Sequence, residues 1–125
     1  MAIYLPNCPE FIITYFAAMK IGAIALPFNI IFKTGEISYI MNDSGAKVMV
    51  GASPELEQNV IQEREQFPGL EKIVTVGTPL KDAIDFNLLL AAASEKLEPA
   101  ECSGDDVMSL VYTSGTSGKP KGAML

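Results

Sequence analysis

The residues best suited to chemistry lie in one stretch near the carboxyl end, Thr113 to Gly122, with the sequence TSGTSGKPKG. It combines glycines, hydroxyl side chains and two lysines, and no acidic or large apolar side chain interrupts it. Glycines let backbone N–H groups approach an anion closely, while hydroxyl and ammonium groups donate hydrogen bonds to phosphate oxygens. The stretch therefore predicts a phosphate-binding loop.

The spacing within this loop does not fit the Walker A motif, G-x-x-x-x-G-K-[ST]. If Gly118 and Lys119 were its Gly-Lys pair, the first glycine would fall at Thr113 and the hydroxyl residue at Pro120. Neither position holds the residue that the motif requires. The dinucleotide-binding pattern G-x-G-x-x-G also has no match in the sequence. A flexible Gly/Ser linker is the remaining alternative, and the lysines, the proline and the apolar run before the loop argue against it.

Composition excludes several other functions. The chain has 125 residues, enough for one domain, and a net charge of −6 from 15 acidic and 9 basic side chains. An acidic chain without a basic stripe is a poor ligand for nucleic acids, so no nucleic-acid partner is expected. The absence of histidine excludes a Ser–His or Cys–His nucleophile pair within the chain.

The two cysteines and the apolar amino-terminal third each admit more than one interpretation. Cys8 and Cys102 are expected to be free thiols of a reducing compartment, with a disulfide as the alternative. The apolar stretch 11–32 is about as long as a membrane span, but Gly22, Pro27 and Asn29 interrupt it. A buried helix followed by a buried strand is therefore expected instead of a transmembrane segment.

The elements that must position the loop alternate between strands and helices. Strands are expected at 2–5, 23–27, 47–50, 72–76 and 107–112, and helices at 9–21, 34–44, 53–66 and 86–92. Asn7, Thr34 and Asp85 are candidate helix caps. This order predicts an α/β fold of β-α units with a mainly parallel sheet, whose ligands bind beyond the carboxyl ends of the strands. The expected organisation is β/α units at 1–93, an acidic surface loop at 94–106, and a strand with the phosphate-binding loop at 107–125.

The loop and its surroundings also match a known family. The residues LVYTSGTSGKPKG, 110–122, resemble the phosphate-binding motif of the adenylate-forming (AMP-binding) superfamily, with Ser117 where the family commonly has Thr. The stretches AIYLPN, 2–7, and NDSGAK, 42–47, are similar to earlier parts of the same domain. The resemblance is strongest to fatty-acyl-CoA synthetases, and it identifies the chain as a fragment of the large N-terminal domain of such an enzyme.

The resemblance implies a ligase that joins a fatty acid to ATP, releasing pyrophosphate, and passes the acyl group from the adenylate to coenzyme A. Its implied phosphate-binding residues are Thr113, Ser114, Gly115, Thr116, Ser117, Gly118, Lys119 and Lys121. Lys121 is the implied catalytic residue and Thr113 a ligand of Mg²⁺. The implied location is cytoplasmic. The adenine and acyl pockets of the family lie beyond Leu125, so the chain alone is expected to be inactive.

Two alternatives stay open. The chain could belong to another adenylating enzyme, an aryl-CoA ligase or a peptide-synthetase adenylation domain, or it could be a non-catalytic binding module that kept the fold. In each case the nearly all-apolar helix at 9–21 and an unpaired final strand at 107–113 predict that the isolated chain self-associates.

Overall fold

The computed structural model describes residues 1–113 and 118–125. Five strands form a parallel sheet in the order β2-β1-β3-β4-β5. The strands are β1 (Ala2–Tyr4), β2 (Leu26–Pro27), β3 (Val48–Ala52), β4 (Lys72–Val76) and β5 (Ile84–Asp85). Every neighbouring pair in this sheet is parallel, as the alternation of strands and helices predicted.

The last two strands form an antiparallel hairpin, β6 (Leu110–Thr113) with β7 (Lys121–Met124). The expectation of an unpaired final strand was therefore wrong. The sequence did not reveal the partner because β7 contains Gly122 and only three further residues, too few for a clear strand pattern. The hairpin also adjoins the parallel sheet, since Ala25 and Ser109 form a parallel bridge beside β2.

Helices connect the strands and cover both faces of the sheet. They are α1 (Pro9–Lys20), α2 (Thr34–Ser44), α3 (Ser53–Leu56), a π-helical turn (Glu57–Ile61), a 3₁₀ turn (Arg64–Gln66) and α4 (Phe86–Ala92). One sheet face packs on α2 and the segment 53–70, through a core that includes Ile37, Ile40, Leu56 and Phe67. The opposite face packs on α1 and α4, with Ala18 and Phe86 in its core.

The helix ends test the predicted caps. Asp85 caps α4 as expected, because its carboxylate accepts a 2.9 Å hydrogen bond from the N–H of Leu88. At α1 the cap position is Cys8 instead of Asn7, and at α2 it is Lys33 instead of Thr34. At α2 the carboxylate of Glu36 accepts from the Lys33 N–H at 2.7 Å, which satisfies the first turn and leaves the Thr34 hydroxyl for another contact.

Between α4 and β6, residues 94–106 form an exposed segment without helix or strand. Cys8 and Cys102 are both free thiols, as expected. Within the described ranges, no helix has the length and apolar character needed to cross a bilayer.

Candidate phosphate-binding site

The hairpin β6–β7 carries the candidate loop to the carboxyl edge of the parallel sheet. The Ala25 N–H donates to the Met108 carbonyl at 3.0 Å, and the Leu110 N–H donates to the Ala25 carbonyl at 2.8 Å. These bonds make β6 continue the sheet beside β2 in the parallel direction. The loop after β6 therefore leaves the sheet at its carboxyl edge, where ligands of open α/β sheets bind.

Two of the predicted site residues lie side by side at the base of the loop. Thr113, the last residue of β6, is directly opposite Lys121, the first residue of β7. Opposed residues of an antiparallel pair point to the same face, with Cβ atoms roughly 5 Å apart. Both side chains are exposed. The hairpin thus brings a hydroxyl and an ammonium group together, where both can reach one anion.

The other predicted residues of the loop divide into two groups. Gly118 and Lys119 are exposed, and Gly118 has a φ of +86°, a conformation that glycine adopts without strain. Ser114, Gly115, Thr116 and Ser117 lie outside the described residues. Their expected contacts with phosphate therefore stay a prediction.

Lys119 differs from Lys121 in its surroundings. Its Nζ lies 5.9 Å from the centroid of the Tyr39 ring, a cation–π contact with α2. Lys121 points from the exposed start of β7 beside Thr113. One lysine is therefore held by the scaffold while the other is available to a ligand.

A second contact joins the hairpin to α2. The Tyr112 hydroxyl donates a 2.5 Å hydrogen bond to the Asp43 carboxylate, across a separation of 69 residues. Bonds of this type, from a phenol to a carboxylate, are among the shorter and stronger hydrogen bonds in proteins. Burial and the neighbouring Asp43 carboxylate raise the pKa of Tyr112 above its usual value, so the phenol stays a donor at neutral pH.

Gly122 makes room for this tyrosine. It is the register partner of Tyr112, and a Cβ built on it would lie 3.1 Å from Cζ of that ring and 2.9 Å from Cδ1 of Leu110. A larger residue would force the Leu110 and Tyr112 side chains to shift. The glycine that ends the motif thus serves packing in the hairpin, in addition to any flexibility it gives the loop.

A buried polar cluster in turn fixes α2. The Tyr4 hydroxyl donates to the Phe32 carbonyl at 2.6 Å and accepts from the Asn59 side-chain amide at 3.1 Å. The Thr34 hydroxyl donates to the Asn59 carbonyl at 3.0 Å. These bonds join β1, the start of α2 and the π-helical turn, and satisfied buried networks of this kind are rigid. The platform on which the hairpin rests is therefore well anchored.

The site offers little to a metal ion by itself. In residues 1–113 and 118–125, no group of three or more Cys, Asp or Glu side chains is placed to hold a metal. Thr113 presents a single neutral hydroxyl at the exposed end of β6. This fits the way Mg²⁺ binds with a nucleotide, through one or two protein ligands together with phosphate oxygens and water.

Sequence reasoning missed the residues that support the loop. Tyr39 and Asp43 lie one turn apart on α2 and contact Lys119 and Tyr112 respectively. Their spacing of four residues puts them on one helix face, and this is the only local signal that the pair acts together. Nothing in the sequence links that face to a strand 69 residues away.

A cavity of about 840 Å³ lies elsewhere, between the end of α1 and residues 100–108. Its lining includes Met19, Cys102 and Met108, and none of the predicted phosphate-binding residues that the structure describes. The described residues of the candidate site, Thr113, Gly118, Lys119 and Lys121, are therefore exposed at the sheet edge and lie outside this cavity.

Comparison with known proteins agrees with this geometry. The model of the AMP-binding enzyme family matches residues 1–125. The chain is 38% identical over 128 aligned residues to the long-chain-fatty-acid–CoA ligase FadD13 of Mycobacterium tuberculosis, covering 99% of this chain and 24% of that protein.

Two solved structures share the fold. The long-chain-fatty-acid-CoA ligase FadD1 of Archaeoglobus fulgidus superposes with a TM-score of 0.86 at 30% identity, over 99% of this chain and 24% of that one. The anthranilate CoA ligase AuaEII, in complex with anthranoyl-AMP, also gives 0.86, at 32% identity over 98% of this chain and 24% of that one. The 125 residues thus span about a quarter of the length of these relatives. With the family model matching from the first residue to the last, the chain belongs to the AMP-binding enzymes.

Proposed function

We propose that this chain is the phosphate-binding segment of an ATP-dependent carboxylate–CoA ligase. In the reaction a carboxylate oxygen attacks the α-phosphorus of ATP, the α–β phosphoanhydride bond breaks, and pyrophosphate leaves with the bonding electrons. The sulfur of coenzyme A, having lost its proton, then attacks the acyl carbon of the adenylate, the bond from that carbon to the phosphate oxygen breaks, and AMP leaves. The single observation that carries the proposal is the hairpin, which holds Thr113 and Lys121 together at the carboxyl edge of the sheet.

The proposed phosphate contacts come from Thr113 to Lys121. The backbone N–H groups and hydroxyls of the loop bind the β- and γ-phosphates in the ground state. Negative charge accumulates on pyrophosphate as the α–β bond breaks, and a preorganised ammonium group stabilises that charge without needing to reorient. Lys121, exposed and beside Thr113, is assigned this role. Lys119, which lies over the Tyr39 ring, is assigned only a smaller contribution to the positive charge around the phosphates.

Thr113 is also the proposed protein ligand of Mg²⁺. The ion, when bound with ATP, neutralises phosphate charge, and the hydroxyl of Thr113 would hold it at the end of β6. Coenzyme A enters the proposal through the family alone, since no residue of the chain is assigned to it.

The proposed acid is a fatty acid. FadD13 and FadD1 are long-chain-fatty-acid–CoA ligases by name, and FadD13 matches over nearly the whole chain. An aromatic acid is the second candidate, because AuaEII, an anthranilate ligase, has the same TM-score as FadD1. The described residues contain no assigned acyl pocket, so the choice depends on the relatives and on experiment.

The test is pyrophosphate exchange into ATP, measured on the 125-residue chain and on the full reading frame that contains it. Each is assayed with a series of fatty acids and with anthranilate, against a heat-inactivated control. The proposal expects exchange from the full-length protein with fatty acids and none from the 125-residue chain. Exchange with anthranilate alone supports the second candidate. A full-length protein that exchanges with no acid refutes the ligase function.

We also propose that the isolated chain self-associates and that the full-length protein acts in the cytoplasm. The first proposal is supported by α1, where Ile12 and Phe16 are 56% and 58% exposed, one turn apart on the same helix face. Contiguous apolar patches of this kind are uncommon on monomers. Fractionation of cells that express the tagged full-length protein tests its location.

A further inference from the structure

The hairpin that carries the phosphate loop is hydrogen-bonded to Ala25 beside β2, and two of its side chains also contact α2. The contacts with α2 suggest a role beyond packing. Tyr112 on β6 is bonded to Asp43, and Lys119, within the loop, lies over Tyr39. Asp43 and Tyr39 share one face of α2. Two contacts therefore connect the hairpin to a single helix. One comes from Tyr112, just before the loop, and the other from Lys119, near the end of the loop.

We propose that the hydrogen bond between Tyr112 and Asp43 positions the phosphate loop, so that these two residues set the affinity for the triphosphate of ATP without touching it. The inference rests on the proposed function, since it needs a triphosphate in the loop. Tyr112 and Asp43 are positioning residues: they hold the base of the hairpin, from which Thr113 and Lys121 reach the ligand.

The physical argument starts from the cost of ordering a loop. A binding group that is free to move loses that freedom when it binds an anion, and the loss weakens binding. An anchor that already fixes one end of the loop removes part of this loss before the ligand arrives. Gly122 supports this arrangement, since it leaves space for the Tyr112 ring against the hairpin.

The charge of Asp43 makes the proposal unusual and therefore testable. An acidic side chain near a triphosphate site is expected to repel the ligand. If Asp43 acted only through its charge, removing that charge would strengthen ATP binding. If it acts by holding Tyr112, removing it weakens ATP binding. The two mechanisms predict effects of opposite sign for the same substitution.

The main experiment measures KM for ATP and kcat in pyrophosphate exchange by the full-length protein. Tyr112→Phe and Asp43→Ala are each expected to raise KM for ATP by ~3- to 10-fold, the effect of one partly exposed hydrogen bond to a charged group. kcat is expected to change less than ~2-fold, because saturating ATP itself holds Thr113 and Lys121 in the bound position. Asp43→Asn keeps a neutral acceptor and is expected to raise KM less than Asp43→Ala does.

The double variant and two matched controls separate positioning from general destabilisation. Tyr112→Phe with Asp43→Ala is expected to raise KM no more than the larger single effect, because both changes break the same bond. Two control variants are expected to leave KM unchanged. Tyr15→Phe removes a hydroxyl from α1 on the other sheet face, and Asp82→Asn neutralises an exposed acid beside β5. The proposal is overturned if Asp43→Asn lowers KM, or if the KM increases of the two single variants multiply in the double variant.

A second measurement does not depend on ATP. Amide hydrogen exchange in the 125-residue chain is expected to quicken ~3- to 10-fold in β7 in Tyr112→Phe, while the amides of β3 and β4 keep their rates. Unchanged exchange in β7 shows that the bond does not hold the hairpin and overturns the inference. Absence of any pyrophosphate exchange by the unaltered full-length protein refutes the proposed function instead, and the amide measurement still decides whether the pair anchors the hairpin.

Discussion

The two lysines of the loop should contribute unequally to the proposed ligase activity of the full-length protein, because their environments differ. Lys119 lies over the Tyr39 ring, an exposed cation–π contact worth about 0.5–1 kcal/mol, so Lys119→Ala is expected to lower kcat by only ~2- to 5-fold. Lys121 is exposed beside Thr113 and is assigned to the charge that develops on pyrophosphate. Loss of one such donor lowers kcat by ~10- to 1000-fold, which is the expectation for Lys121→Ala.

Steady-state pyrophosphate exchange measures both variants, with kcat and KM for ATP separated at saturating fatty acid. A group that acts mainly in the transition state lowers kcat more than it raises KM. Lys121→Arg is expected to restore activity only partly, since a planar guanidinium does not replace a compact ammonium group. Tyr39→Leu, which removes the ring but keeps both ammonium groups, serves as the control and is expected to lower kcat no more than Lys119→Ala does. Equal losses at the two lysines, or an effect of Lys121→Ala on KM alone, would refute the assignment.

Three further predictions concern the 125-residue chain. Gly51→Ala places a Cβ 2.8 Å from Cγ of Leu56 and 3.1 Å from the Tyr4 carbonyl oxygen. This substitution is expected to lower the free energy of unfolding, measured in urea, by about 1–3 kcal/mol. Gly69→Ala is the control and should have a much smaller effect, because no atom lies within 4 Å of the added Cβ. Burial raises the pKa of both Tyr4 and Tyr112 above the usual value of about 10, so the folded chain keeps phenolic protons that the unfolded chain loses. Stability is therefore expected to fall as pH rises beyond about 10, and Tyr112→Phe should remove one late-titrating phenol from the absorbance titration. Phe16→Glu on the exposed face of α1 is expected to reduce the average mass measured by light scattering. Gln58→Glu, which adds the same charge on the other sheet face, is expected to leave that mass unchanged. A monomeric unaltered chain contradicts self-association.

The features that local sequence determines were predictable. The helix expected at 34–44 ends at Ser44, where Gly45 follows with a φ of +65°, and Asp85 caps α4 through a bond to a residue three positions away. The caps of α1 and α2 were each misplaced by one residue. At α2 the reason is physical: the Thr34 hydroxyl bonds to Asn59, a partner 25 residues away that no local rule identifies.

The candidate site, like the fold, was predictable only where local sequence determines it. The residue types of TSGTSGKPKG predicted the loop, and the strand pattern predicted its place at the sheet edge. The pairing of Thr113 with Lys121 and the contact of Tyr112 with Asp43 depend on tertiary structure. A side-chain contact over 69 residues carries no periodic signal, so only the structure could assign α2 as the support of the loop.

The bridge between Ala25 and Ser109 has a consequence for the order of folding. It joins residues 84 positions apart, whereas the pairings within the five-stranded sheet join residues no more distant than Ala2 and Met49. Closing a longer loop loses more chain entropy, and on the ribosome the outer edge of β2 must wait until residue 110 has emerged. The candidate phosphate loop is thus placed by a pairing that forms late, so its position at the sheet edge depends on folding of the segment before it.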